Sequence, residues 1–160
     1  MIKKKKLFAV VLAIAMLFTM SSIAASAETA PTVSFSANKA TFGVGEKVEL
    51  TVNAENAGAV DFTLNYDANT FEYVTATFTN TDVNKKSDSV KAVDGGIRVF
   101  LLDSDATLTF KAIGASANAA FTANKVDASN VDGTKKYEIT PAPVSVSVTE
   151  AGHIEVLGAT

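Results

Sequence analysis

Carboxylates are the commonest groups in this chain able to do chemistry: 17 of its 160 residues are Asp or Glu. Asp103 and Asp105 flank the end of an apolar run, and Asp127 and Asp132 lie close together. Paired carboxylates can hydrolyse glycosides, one as acid and the other as nucleophile or base. In so acidic a sequence, such pairs arise by chance. The single His, His153, sits near the C-terminus with no base–nucleophile constellation around it. The absence of Cys removes thiol nucleophiles, thiolate metal sites and redox chemistry. Asp127, Asn130 and Asp132 precede Gly133 and offer oxygen ligands of the kind calcium takes. Their spacing is not that of a helix–loop–helix calcium loop and no Glu closes it, so turn chemistry is the simpler account. Gly43-Val44-Gly45 is not a phosphate loop, because neither Lys-Ser, Lys-Thr nor a helix follows. The reading is a non-enzyme with no cofactor and no metal of its own.

The elements that would carry a binding site instead are strands. Apolar and polar residues alternate from Val60 to Asp67, the period of a strand with one buried face. That places Val60, Phe62, Leu64 and Tyr66 on the core side. Asp61, Thr63, Asn65 and Asp67 go to the outer side, because burying unpaired carboxylates is costly. Asp67-Ala68-Asn69 supplies a turn and Phe71 restarts a strand. In Ile97–Leu102, Ile97, Val99 and Leu101 alternate with Arg98, Phe100 and Leu102. Phe100 and Leu102 make the bulkier core set. Ile97, Val99 and Leu101 would then form an outward apolar patch of the kind that marks partner sites. The alternative is a central strand buried on both faces. Arg98, the only Arg, pairs with a nearby acid or sits at the patch rim.

Further strands are expected at Thr32–Ala37, Lys47–Ala54, Ala59–Tyr66, Phe71–Phe78, Ser89–Val93, Thr107–Ile113, Ala119–Asn124 and Val144–Thr149, with a short one at Lys136–Ile139. Asp94-Gly95-Gly96 reads as a hairpin turn. No helix is strongly signalled. The class is all-β, a sandwich.

The N-terminus reads as a bacterial export signal. Lys3 to Lys6 precede an apolar run of 14 residues, Leu7 to Met20, and Ala25-Ser26-Ala27 offers a cleavage site. The run is short for a membrane span, the alternative being an uncleaved anchor. Cleavage would remove 27 of the 160 residues and leave 133, enough for one domain with a sizeable core. The expected division is a signal at 1–27, a sandwich domain at 28–149, and a tail or edge strand at 150–160. Four of the 14 basic residues lie in the signal and none of the 17 acidic ones does, so the mature chain carries about −7. That charge disfavours nucleic acid and anionic membrane surfaces as partners. The expected location is secreted, extracellular or at the cell surface.

The Val60–Phe71 unit, with its Tyr66-Asp67 turn, resembles the signature of cohesin domains, the receptor modules of cellulosome scaffolds. The likeness extends through Gly45–Val52, Gly95–Asp103, Leu108–Ile113 and Val144–Val148, most of Pro31 to Thr149. It implies a sandwich of about nine strands in jelly-roll topology. It also implies binding of a dockerin, a small calcium-loaded helical module carried by a polysaccharide-degrading enzyme. The implied face uses Ala59, Asp61 and Thr63 on one strand and Ile97, Val99 and Leu101 on the other, with Ser104 beyond. Ala59 stands where the family has Asn, Asp61 matches the family's Asp, and Ser104 replaces an acidic residue. Two other functions stay open: glycan binding through an aromatic platform of Tyr73 and Tyr137, and a structural surface domain without a dockerin.

Overall fold

The computed structural model describes residues 28–80 and 88–150. The export signal, His153 and the apolar tail around Ile154 lie outside them. Twelve strands are present among the described residues. The first six are β1 Thr32–Ala37, β2 Thr41–Gly43, β3 Lys47–Glu55, β4 Ala59–Asn65, β5 Phe71–Phe78 and β6 Ser89–Val93. The rest are β7 Gly96–Leu102, β8 Ala106–Ala112, β9 Ser116–Phe121, β10 Val126–Ser129, β11 Lys136–Ile139 and β12 Val144–Thr149. The expected strands are all there, within a few residues. The higher strand count comes from the short β11 and from β2 and β10, whose three and four residues are too few for a legible period.

Three sheets form, in the orders β1-β3-β8-β5, β11-β10-β4-β7-β6 and β2-β12-β9. The first two face each other across the core; Phe35 of β1 meets Phe62 of β4 with ring centroids 5.4 Å apart. The third closes one end, where Asn65 bridges to Thr122 just past β9. Alternation explains the filling. Val48, Leu50 and Val52 of β3 and Leu108 and Phe110 of β8 are buried against Val60, Phe62 and Leu64 of β4. Tyr66, Phe71, Tyr73, Phe110 and Phe121 form an aromatic cluster, with Phe71 stacked on Phe121 at 4.6 Å and Tyr66 edge-on to Phe110 at 4.9 Å.

The turn after β4 is built by Asp67. Its carboxylate accepts from the Asn69 amide at 2.9 Å and the Thr70 hydroxyl at 3.1 Å, while its carbonyl accepts from the amides of Thr70 and Phe71. This side-chain turn is why Asp suits the position. It returns the chain so that Phe71 enters the core directly.

β7 corrects the sequence reading. Ile97, Val99 and Leu101 are 1%, 0% and 1% exposed, while Arg98 is exposed and Phe100 and Leu102 are half-buried on the outer side. The reason is register: Ile97 pairs Leu64, Val99 pairs Phe62 and Leu101 pairs Val60. Directly paired side chains share a face of the sheet. The buried face of β4 therefore fixes that of β7. The bulk of Phe100 and Leu102 loses to the cost of taking the Arg98 guanidinium inside.

β5 holds a second irregularity. Its pairing with β8 slips between Tyr73 and Thr75, and Val74 is left 57% exposed. A bulge adds one unpaired residue and bends the strand.

Candidate functional site

The outer face of β11-β10-β4-β7-β6 holds most of the chain's arranged chemistry. One row crosses all five strands: Glu138, Asp127, Asp61, Phe100 and Ser89. The next row carries Thr63, Arg98 and Lys91. On the other side of the first row lie Ala59 beside Leu102, and Ser129 beside Lys136.

Three carboxylates stand side by side in the first row, and like charges directly opposite one another destabilise a sheet. Two cations offset them. Lys125 reaches Asp127 at 3.3 Å and Glu138 at 2.9 Å. Arg98 donates from Nε to Asp61 Oδ1 at 3.0 Å and from Nη2 to Oδ2 at 2.6 Å. This fork-to-fork geometry is the strong form of the Arg–carboxylate contact. The hydrogen bonds from Arg98 hold the Asp61 carboxyl below its ordinary value, against the opposing effect of partial burial. The guanidinium is shifted upward by the same contact.

Ala59 leaves a gap. Its amide donates to Ser129 Oγ at 2.9 Å, and its short side chain floors a groove of about 600 Å³. Asp61, Phe100, Asp127, Ser129, Lys136 and Glu138 are among the groove's lining residues. A smaller hollow of about 220 Å³ lies on the other side of Asp61, lined by Asp61, Ser89, Lys91, Arg98 and Phe100.

No protein-family model matches the sequence, and no curated protein matches it. Solved structures do. A type I cohesin–dockerin complex from Clostridium thermocellum aligns at a TM-score of 0.61 and 16% identity, over 78% of this chain and 99% of that one. The non-cellulosomal cohesin of the archaeon Archaeoglobus fulgidus aligns at 0.59 and 14%, over 82% and 100%. The cohesin module of a Clostridium perfringens family 33 glycoside hydrolase aligns at 0.59 and 14%, over 76% and 99%. This is a cohesin fold.

Within that cohesin fold, the residues singled out from sequence separate into two groups. Ala59, Asp61 and Thr63 lie together on the outer side of β4, half-buried. Ile97, Val99 and Leu101 do not join them, because their side chains are in the core. Nor does Ser104, which is buried in the β7–β8 connection. Its hydroxyl accepts from the Asn80 amide at 3.0 Å and donates to the Asp105 carbonyl at 2.9 Å. Phe100, Leu102 and Lys91 were missed as face residues. The signal was present: Arg98 shares its side of β7 with Phe100 and Leu102, so the guanidinium marks that side as outward.

Two of the carboxylates considered for chemistry, Asp105 and Asp127, have structural work. Asp105 accepts from the Ala54 amide at 2.7 Å, and Asp127 holds Lys125. Asn130 is 1% exposed; its amide nitrogen donates to Glu28 and Thr134, and its oxygen accepts from the Lys135 amide. Among the described residues, no group of three or more His, Cys, Asp or Glu is placed to hold a metal.

Proposed function

We propose that this chain is a secreted, non-catalytic receptor module that binds a dockerin-type helical partner on the outer face of β11-β10-β4-β7-β6. The observation that carries the reading is the coincidence of that face with a cohesin fold. Here polar and apolar groups converge on one face of a sheet, with Asp61 at its centre and Phe100 and Leu102 beside it. The Clostridium thermocellum structure pairs such a fold with a dockerin. Protein contact surfaces gain affinity from a few central aromatic or apolar anchors ringed by polar groups. Phe100 is the anchor this face offers, in place of the core residue Leu101. Calcium, in this reading, belongs to the partner, and any link to polysaccharide runs through the enzyme that carries it.

Glycan binding loses its main support. Tyr73 packs edge-on to core Phe110 at 5.7 Å on β5 of the first sheet, whereas Tyr137 is half-buried on β11 of the second, where it lines the Ala59 groove. The two do not share a face, so they form no platform. The deciding experiment is calorimetric titration of the mature chain with calcium-loaded type I and type II dockerins. Saturable binding that Phe100→Ala weakens about tenfold or more is expected for a central anchor. The reading fails if no dockerin of either type binds.

A further inference from the structure

Lys91 and Arg98 face each other directly across β6 and β7 on the outer side of the sheet. Two cations in that position oppose each other's presence. Arg98 is compensated by Asp61, but Lys91 forms no ion pair among the described residues. The carboxylate row is treated differently, for Lys125 spans two of its members. Every carboxylate of that row therefore touches a cation, whereas Lys91 has no anionic partner among the described residues and stands beside a hollow.

That hollow has the chemistry to take an anionic group. Ser89 contributes a hydroxyl, Lys91 an ammonium, and Arg98 a guanidinium fixed by its fork on Asp61, whose carboxylate also lines the hollow and offsets one of the two positive charges. Phe100 forms an apolar wall. A guanidinium held in one orientation loses less freedom on binding than a mobile one. Around it the chain is acidic, with 10 basic against 17 acidic residues outside the expected signal segment. A locally cationic spot on such a chain selects at contact, not at long range.

We propose that the Ser89–Lys91–Arg98 hollow receives a carboxylate side chain, Asp or Glu, from the protein that docks on this face, and that Lys91 is a specificity-determining residue. The proposal rests on the receptor function proposed above for the location of the face. It goes further in naming what the partner must carry, and in assigning Asp61 to hold Arg98 and not to be the principal acceptor for the partner. Charge complementarity fixes the occupant: with Arg98 compensated by Asp61, a basic partner residue would meet the remaining charge of Lys91, and an apolar one would strand it.

Two measurements test it. In the first, the mature chain alone is titrated with acetyl-glutamate amide and, separately, acetyl-lysine amide, while its backbone amides and the Arg98 Nε–H are followed by NMR. The glutamate probe should shift Ser89, Lys91 and Arg98, and Lys91→Gln should abolish the response. Shifts confined to the Ala59–Ser129 groove, equal shifts with the lysine probe, or no shifts at all would overturn the assignment. In the second, a dockerin that binds is measured against Lys91→Glu. A loss of about tenfold or more, restored in part by Lys at the partner's acidic position, is expected for a desolvated charge contact. Unchanged affinity would sink the proposal while leaving the receptor reading intact. A positive glutamate titration with no dockerin bound would do the reverse.

Discussion

Asp61 and Arg98 are locked together by two hydrogen bonds across β4 and β7, offset by one register step: Asp61 pairs Phe100, and Arg98 pairs Thr63. The Asp is therefore not an open acceptor. Arg98→Ala should free it, with little change in the unfolding midpoint, because exposed ion pairs contribute little to stability. Dockerin affinity should change in the same variant. Calorimetry and thermal unfolding on one preparation check both.

The same pair has a pH signature. Asp61 titrates below its ordinary value in the folded chain because Arg98 stabilises the carboxylate. Its contribution is thus fully present above the unfolded value of about 4, and is lost as pH falls through the lower folded value. Asp61→Asn should remove that small contribution from the acid segment of the stability curve. Carboxyl NMR of Arg98→Ala should show the Asp61 midpoint moving up; an unmoved midpoint would contradict the pairing.

The orientation of β7 can be tested by truncation on its two sides. Leu101→Ala empties a fully buried site and should cost about 2–5 kcal/mol. Leu102→Ala, on the half-buried outer side, should cost about 1 kcal/mol or less. Denaturant unfolding of the two variants gives the comparison directly. Equal losses would mean that both faces are buried.

Gly96 is where a strand and a hairpin meet most tightly. A Cβ there would lie 2.0 Å from the Leu64 carbonyl oxygen. Gly96→Ala should push β7 away from β4, with a loss above about 3 kcal/mol or failure to fold. Gly95 has φ +79° and open space around it, so Gly95→Asn, a residue that tolerates this conformation, should fold. Hydrogen exchange at Leu64 and Ile97, paired across β4 and β7, reports whether the strand pair survives.

Asn130 holds three partners in two segments with one side chain: Glu28, and Thr134 with the Lys135 amide. Asn130→Ala leaves that amide without its acceptor, a penalty of about 1–3 kcal/mol when the group stays buried. Faster exchange at Lys135 and in β11 is the expected readout.

Much of the sandwich is legible before any coordinates, for a physical reason. β1, β3, β4 and β12 each alternate over six or more residues, and alternation is what a half-buried strand requires. The outward side of β4 follows from one carboxylate, Asp61. β7 escaped because every position in it except Gly96 and Arg98 is apolar, so bulk and period do not separate its two sides. The deciding fact is non-local: the register that sets Val99 against Phe62. β10 was hidden by Asp127 and Asn130, whose types suggest a turn or a metal. Their roles depend on Lys125 and Glu28, partners that spacing alone does not reveal. The cationic pair of Lys91 and Arg98 is likewise a property of the β6–β7 pairing and not of either strand.

The bulge at Val74 bears on what happens when many copies share a crowded space. β5 is the outermost strand of its sheet, and an outermost strand offers unpaired amides and carbonyls to any passing chain. A visiting strand could zip along Phe71–Tyr73 and would then lose step, because Val74 breaks the regular spacing of those groups. Deleting Val74 would straighten that border. The resulting molecule would trade an awkward rim for a continuous template, and fibrous aggregation would be its characteristic fault.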